Sequence, residues 1–285
     1  MTLYPADRHE RTCRWIDHGK AAGRGSLSAS GRWWLAAVIT TLLLFSGVNA
    51  SAQETEESDV QAWFQYEYRH AISPRLRGSW GLGYRELVST EDVLGEWSRL
   101  HLRGNFSYAH RSWVTFEGGI GGFYTFSNNL TDLFELRAWQ GAVFFWPTAR
   151  IGGRDFDLRH RLRLEQRWTR QRELGETDFG LRLRYRLATF IPLNRATIEK
   201  NAWYVPIMGE AFADLGGDSV DYFAERLRLT TGLGHVLSDR WTLEFRYTAQ
   251  KSWDTVQGRF ETTDHILDLR IRTAVRIKDL MPSLR

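Results

Sequence analysis

A strict alternation of arginine with apolar residues is the feature that most constrains the fold. Residues 156–168 read FDLRHRLRLEQRW, and residues 178–187 read DFGLRLRYRL. Successive side chains leave opposite faces of a β-strand, whereas a helix would distribute the arginines around its circumference. Both segments are therefore predicted to be strands with one apolar face and one arginine-bearing face.

The same period of two returns along most of the chain. Segments that show it lie at residues 60–69, 76–85, 99–108, 114–124, 134–144, 156–168, 181–187, 201–212, 226–233, 241–250 and 264–272. Most approach the length that crosses a bilayer at a tilt, about 9–11 residues, whereas strands of soluble proteins average about five or six. One face is apolar and the other mixes charges with glycine, as in a membrane barrel with a polar lumen.

These strands predict an all-β fold, an antiparallel up-and-down transmembrane β-barrel. Single-chain bacterial barrels have even strand numbers, so we expect about twelve strands, within a range of ten to twelve. The additional strand is expected within residues 188–212 or after Val275. Tryptophans at strand ends predict an aromatic girdle where the barrel meets lipid headgroups. They are Trp97, Trp113, Trp146, Trp168 and Trp241.

The N-terminal region predicts export. An apolar run at residues 33–45 follows Arg24 and Arg32 and precedes Ala50-Ser51-Ala52, the arrangement of a secretory signal peptide. The run is short for a membrane-spanning helix, which needs about 20 residues; a retained anchor is the alternative. We expect cleavage near Ala52 and localisation in the bacterial cell outer membrane. The expected organisation is an N-terminal extension and signal peptide at 1–52, an acidic linker at 53–59, the barrel at 60–276 and a C-terminal tail at 277–285.

The basic residues are nearly all arginine, which argues for an enclosed ionic network. Among 38 Lys+Arg residues, the lysines are Lys20, Lys200, Lys251 and Lys278. The planar guanidinium forms forked bonds to carboxylates, and 34 Asp+Glu residues are interleaved with the arginines. We therefore expect no nucleic-acid partner. The single cysteine, Cys13, lies in the segment expected to be removed, and no metal-binding spacing is present, so we expect no cofactor and no metal site.

Arginines on neighbouring strands form the candidate site. The expected lumen-lining and possible anion-binding residues are Arg159, Arg161, Arg163, Glu165, Arg167, Arg182, Arg184, Arg186, Arg226 and Arg228. Like charges directly opposite each other destabilise a sheet, so carboxylates or a bound anion must compensate. The candidate carboxylates are Asp157, Glu165, Glu117, Glu135, Glu244, Asp264 and Asp268. Two interpretations stay open: a closed ionic plug, or an anion-attracting pore or contact for lipopolysaccharide phosphate.

Several motifs resemble the uncharacterised bacterial family called domain of unknown function 2490. They are RHRLRLEQRW, LRLRYRL, ERLRLTTGLGHVLSDRWTLEFRY and DHILDLRIR, and the resemblance covers most of residues 60–273. It implies an outer-membrane β-barrel and carries over no catalytic residue. The expected role is a non-enzymatic structural barrel or a small porin-like pore. Outer-membrane lipid, lipopolysaccharide and the barrel-assembly machinery are the expected partners, and the oligomeric state stays open.

A lipid-modifying enzyme is the alternative function. His110-Arg111-Ser112 resembles the His-x-Ser signature of the outer-membrane lipid A deacylases. In that family the signature lies on a strand at the outer edge of the membrane, whereas here it is predicted in a tight turn. A Ser-His pair that hydrolyses acyl groups also needs a third group that orients the histidine.

Overall fold

The computed structural model describes most of the mature chain predicted above. It covers residues 58–88, 97–128, 131–146, 149–151, 153–173, 175–215, 226–254 and 259–275, with the side chains of 149–151 and 253–263 left aside. The predicted signal peptide, most of the acidic linker and the C-terminal tail lie outside these residues. Within them, no helix has the length and apolar character needed to cross a membrane.

The described residues contain thirteen strands, eleven of which form a closed barrel. The strands are β1 (Asp59–Ala71), β2 (Leu76–Val88), β3 (Trp97–Arg111), β4 (Val114–Ser127), β5 (Leu133–Phe145), β6 (Ala149–Ile151), β7 (Arg154–Phe156), β8 (Leu158–Gln171), β9 (Thr177–Pro192), β10 (Trp203–Asp214), β11 (Arg226–Val236), β12 (Trp241–Asp254) and β13 (Arg259–Val275). Strands β6 and β7 form a separate hairpin between β5 and β8. Each of the eleven alternating segments coincides with one barrel strand, and the predicted all-β barrel is confirmed.

The expected strand number of twelve and the purely antiparallel arrangement are wrong, although eleven lies within the expected range of ten to twelve. In the described residues the ring closes with eleven strands, and β1 pairs with β13 in parallel, with Asp59 beside Asp264. An odd number of up-and-down strands makes the first and the last run in the same direction, so only a parallel pair can close the ring. The expected extra strand at 188–212 is taken up by the end of β9 and by β10.

Side chains support this parallel seam on both faces. On the lumen face, Gln65 Nε2 donates to Asp268 Oδ1 at 3.0 Å. On the outer face, the hydroxyls of Tyr66 and Thr273 lie 2.8 Å apart. Parallel pairing is slightly less stable per residue than antiparallel pairing, so these bonds strengthen the pair that closes the barrel.

The outer surface of the barrel is apolar along the strands. Its exposed large residues include Phe64, Leu82, Leu102, Phe106, Ile120, Phe134, Leu162, Leu229, Phe245 and Leu267. Soluble monomers rarely expose contiguous apolar patches larger than a few hundred Å². A surface of this kind is stable in contact with an apolar medium, as in transmembrane barrels.

The two ends of the barrel differ, and tryptophans gather at one of them. The turn end carries the short connections at residues 72–75, 112–113 and 237–240, and the loop end is where β1, β3 and β11 begin. Trp113, Trp146, Trp203 and Trp241 are exposed at the turn end. The girdle prediction is wrong for Trp97, which lines the lumen.

Glycines provide room for large rings inside the barrel. Three cross-strand pairs combine a glycine with a ring: Gly83–His101, Gly119–Trp139 and Gly234–Tyr204. A Cβ atom on Gly83 would lie 2.2 Å from the imidazole Cε1 of His101. His101 is buried and stacks on Phe123, with 5.3 Å between the ring centroids. Glycine is therefore required by space at this position.

Candidate functional site: the arginine-lined lumen

The barrel encloses a cavity of about 1070 Å³ along the lumen. Sixteen arginines and eight aspartates or glutamates line it among the described residues, together with polar side chains from β1, β11 and β12. The lining therefore has an excess of eight positive charges. A cleft of one sign surrounded by low-dielectric walls concentrates ions of the opposite sign, so this lumen favours anions.

Nine of the ten predicted site residues line this cavity. They are Arg161, Arg163, Glu165, Arg167, Arg182, Arg184, Arg186, Arg226 and Arg228. The exception is Arg159, which lies near the turn end. Its Nη2 is 3.3 Å from Asp157 Oδ2, and its guanidinium lies over the ring of Phe190 at 4.9 Å.

Arginines face each other directly at four places in the described registers. The pairs are Arg85–Arg99, Arg137–Arg167, Arg161–Arg186 and Arg163–Arg184. The repulsion expected from the sequence is thus present on three strand pairs. It must be offset at each of them, because like charges directly opposite destabilise a sheet.

The pair Arg137–Arg167 shares Glu135. The Glu135 carboxylate lies 2.8 Å from Arg137 Nη2 and 2.6 Å from Arg167 Nε, and its side chain is 1% exposed. Glu165, also buried, serves the pair Arg163–Arg184 in the same way, at 3.7 Å and 3.4 Å. A buried carboxylate between two guanidiniums converts a repulsive pair into an attractive triad.

Glu210 compensates the third pair, Arg161–Arg186, and links it to the contacts of the neighbouring strands. Its carboxylate lies 3.4 Å from Arg161 Nη2 and also contacts Arg186. Arg184 adds a forked contact, with Nε and Nη2 donating to the two Glu210 oxygens at 3.0 Å each. Since Glu117 bonds Arg163 at 2.7 Å, the contacts are continuous from β4 to β10. We call this group the Glu210 network; it comprises Glu117, Glu135, Glu165, Glu210, Arg137, Arg161, Arg163, Arg167, Arg184 and Arg186.

Glu210 was absent from the candidate carboxylates, and the reason lies in β10. This strand turns Tyr204, Met208 and Phe212 toward the lumen, so its apolar residues lie on the face that is polar elsewhere. Pro206 interrupts the pattern further. The pairing of Glu210 with Arg186 on β9 and with Arg228 on β11 assigns it to the lumen. Neither pairing has a signature in the sequence of β10 itself.

A second, smaller ionic group lies toward the turn end. The Tyr204 hydroxyl donates to Glu244, whose carboxylate also contacts Arg246 and Arg272. Tyr204 packs with Ala202 and Val236 in a buried apolar cluster. Tyr204, Glu244 and Arg272 do not line the cavity, so this group fills space beside it.

In the half of the lumen nearer the loop end, three arginines lie against Trp63 or against Gln65, two residues further along β1. The guanidinium of Arg85 lies over the Trp63 ring at 3.9 Å, and that of Arg228 lies at 5.4 Å. Arg103 donates to Gln65 Oε1 at 3.0 Å. We call Trp63, Arg85, Arg103 and Arg228 the Trp63 cluster. In the part of the chain that the structure describes, none of its arginines forms an ion pair.

The residues of the alternative enzymatic interpretation lie at the turn end. His110 is near the end of β3, and its ring lies against Tyr108 and Phe116, with centroids 6.3 Å and 5.8 Å apart. Ser112 is exposed in the tight turn that follows. Among the described residues, no carboxylate or amide hydrogen bonds to the His110 ring, so the structure places no orienting group beside it.

Comparison with known proteins identifies the family. The family described as "Protein of unknown function (DUF2490)" matches residues 60–261. The chain belongs to this family. No curated protein matches the chain at a significant level. Among solved structures, LpxR from Salmonella typhimurium is similar with a TM-score of 0.47 and 10% sequence identity, over 70% of this chain and 83% of that chain.

The residues that match the DUF2490 family contain most of the arginine-lined lumen. The matched residues run from the start of β1 into β13. They therefore include every member of the Glu210 network and of the Trp63 cluster. Because the family description assigns no activity, the function has to be argued from this lumen.

Proposed function

We propose that the protein is a bacterial outer-membrane β-barrel whose arginine-rich lumen attracts small anions and allows them to pass. The observation that carries this proposal is the twofold excess of arginines over carboxylates around the cavity. Rings of arginine favour anions over cations in pores. The low-dielectric wall of a barrel strengthens that preference.

The placement in a membrane is supported by the outer surface. Exposed apolar side chains follow the strands, and exposed tryptophans gather at the turn end. Amphipathic rings at strand ends suit the headgroup region of a bilayer. In this proposal the barrel contacts outer-membrane lipid and lipopolysaccharide, and the barrel-assembly machinery inserts it.

The passage is narrow, because the Glu210 network reaches into the lumen from β4, β5, β8, β9 and β10. A cavity of about 1070 Å³ in this barrel accommodates ions and small solutes. Phe212 on β10 lies between the guanidiniums of Arg184 and Arg228, at 4.8 Å and 4.9 Å. We therefore expect small conductance with anion selectivity.

Planar-bilayer recording tests the passage. The purified full chain should give channels whose reversal potential in a potassium chloride gradient shows anion selectivity. Arg77→Glu combined with Arg228→Glu should lower the anion preference, since both arginines line the cavity and neither forms an ion pair among the described residues. Channels that are absent or cation-selective in the unaltered protein would contradict the proposal.

Fractionation tests the localisation separately. The barrel should appear in the Sarkosyl-insoluble membrane fraction and should migrate differently in gels before and after boiling. Recovery in a soluble fraction would contradict the membrane placement whatever the bilayer recordings show. The same gel shift reports whether each variant discussed below is folded.

A further inference from the structure

The four cross-strand arginine pairs differ in the groups that contact their guanidiniums. At three of them a buried glutamate contacts both guanidiniums: Glu135, Glu165 and Glu210. At the fourth, Arg85–Arg99, the group that lies against Arg85 is the Trp63 ring. An aromatic face attracts a guanidinium, but it brings no negative charge.

The surroundings of Arg85 are strongly positive. The strongest repulsion on its guanidinium comes from Arg99, Arg228, Arg103 and Arg137. Its Nε is buried without a hydrogen-bond partner among the described residues. A buried donor left unpaired is costly, and more so when it belongs to a charged group. Arg85 therefore has both an excess of local charge and a free donor.

Arg103 and Arg228 have neutral partners. Arg103 Nη2 donates to Gln65 Oε1 at 3.0 Å, and Arg228 Nε donates to Gln250 Oε1 at 2.7 Å. Glu67 attracts Arg103, and Glu210 and Asp264 attract Arg228, only from beyond the 4.0 Å of an ion pair. Glu210 is already shared by three other arginines. Within the described residues the arginines of the Trp63 cluster thus form no ion pair, and Asp268 and Asp264 are linked to Arg103 and Arg228 only through Gln65 and Gln250.

We propose that the Trp63 cluster binds a small oxyanion of the phosphate type, held between Arg85, Arg103 and Arg228. The bound oxyanion supplies at this cluster the negative charge that Glu135, Glu165 and Glu210 supply at the other arginine pairs. Guanidinium forks match the oxygen geometry of phosphate and carboxylate, which favours an oxyanion over a spherical halide. The proposal rests on the anion-attracting lumen described above and assigns its principal binding site.

Calorimetric titration of the folded full chain in detergent tests the site, with inorganic phosphate as the probe and chloride at matched ionic strength as the background. The unaltered protein should show saturable binding. Arg85→Gln, Arg103→Gln and Arg228→Gln should each weaken it about tenfold or more, because each removes charged hydrogen-bond donors. Where a glutamine variant does not fold, the corresponding lysine variant keeps the charge, loses the fork and should weaken binding in the same direction.

Arg167→Gln is the matched control. It removes one lumen arginine whose partner is Glu135, and it should weaken phosphate binding far less than the three cluster variants. Micelles that carry lipid A form a second arm: binding of phosphate alone identifies a dissolved anion, and binding of lipid A alone with the same arginine dependence identifies a headgroup. Absence of binding, or binding that ignores the three substitutions, overturns the proposal. Phosphate binding without bilayer conductance would retain this site and contradict the passage.

Discussion

The Glu210 network and the Trp63 cluster lie on the walls of one lumen, and their arginines have different kinds of contact partner. In the network, four glutamates are distributed among six arginines, and Glu165 and Glu135 are each 1% exposed. In the cluster, Trp63 and neutral glutamines contact the arginines. The difference shows that arginine can have two roles in one barrel. Paired with glutamates it stabilises the wall, and contacted by neutral groups it leaves positive charge in the lumen.

The largest effect should follow from breaking the network at its centre. Glu210→Gln keeps the shape of the side chain and removes the charge that three arginines share. Removal of one partner of a buried ion group leaves uncompensated charge, so the free energy of unfolding should fall by about 3–5 kcal/mol. Urea unfolding in lipid vesicles, followed by tryptophan fluorescence, measures it.

Glu199→Gln is the control for that loss. Glu199 pairs with Arg195 at 3.3 Å near the turn end, and both side chains are exposed. Exposed pairs of this kind contribute about 0.2–1 kcal/mol. If the Glu210 variant lost no more stability than the Glu199 variant, the network would have no structural role.

A smaller loss of unfolding free energy should follow from a substitution in the barrel wall beside the Trp63 cluster. Gly83→Ala places a Cβ atom against the His101 ring, and overpacking of this kind costs about 1–3 kcal/mol. Gly104→Ala is the control, because no heavy atom lies within 4 Å of its Cβ position. Equal unfolding free energies for the two variants would show that the His101 ring moves aside freely.

Converting the cluster into a copy of the network should weaken phosphate binding. Trp63→Glu introduces a carboxylate next to Arg85 and Arg228, which then competes with any bound anion. The phosphate affinity of Trp63→Glu should be roughly tenfold or more below that of Trp63→Gln, because glutamine has the size of glutamate but no charge. Calorimetry of the two variants decides it, and equal affinities would mean that the missing carboxylate does not define the site.

The smallest effect is expected at the loop end, above the Glu210 network. Asp132 accepts hydrogen bonds from Tyr124 Oη at 2.7 Å and from the backbone of Ser127 at 3.2 Å, and it lies 3.5 Å from Arg172. These bonds, that from Tyr124 first, lower the pKa of Asp132 below its usual 3.8. A carboxyl group with a lowered pKa contributes its stability above the unfolded value and loses it as the pH falls through the folded value.

The advantage of the unaltered protein over Asp132→Asn should therefore be small and constant near neutral pH. It should then shrink as the pH decreases below 3.8. Urea midpoints of both proteins, taken across this range, measure the difference. A difference that does not change with pH would mean that the Asp132 charge contributes nothing.

Much of the fold is readable from the sequence, because period-two alternation identifies each barrel strand separately. The pairing that closes the barrel cannot be predicted from this alternation. Whether eleven strands or twelve complete the ring depends on how the first pairs with the last, and the pairs Gln65–Asp268 and Tyr66–Thr273 have no local signature. The rule of even strand numbers pointed to a further strand that the described ring does not contain.

The candidate site shows the same limit at the level of single residues. Parity assigns Arg161, Arg163 and Arg184 to the lumen, since each lies on a strand with a clear apolar face. It fails for Glu210, whose strand carries apolar residues on both faces. The contrast between the network and the cluster depends on registers between strands. The approach of Arg228 to Trp63 spans strands far apart in the sequence and cannot be derived from either strand alone.

The parallel seam also determines the order in which the barrel can assemble. Every other barrel pair joins strands that follow one another along the ring meander, whereas Gln61 and Asp264 are 203 positions apart. Contacts of high sequence separation form late, because the chain entropy of closing a long loop must be overcome first. The open sheet would then present two unpaired edges, β1 and β13, whose backbone groups are costly to leave bare in lipid. Closure of this single pair removes both edges at once and completes the ring.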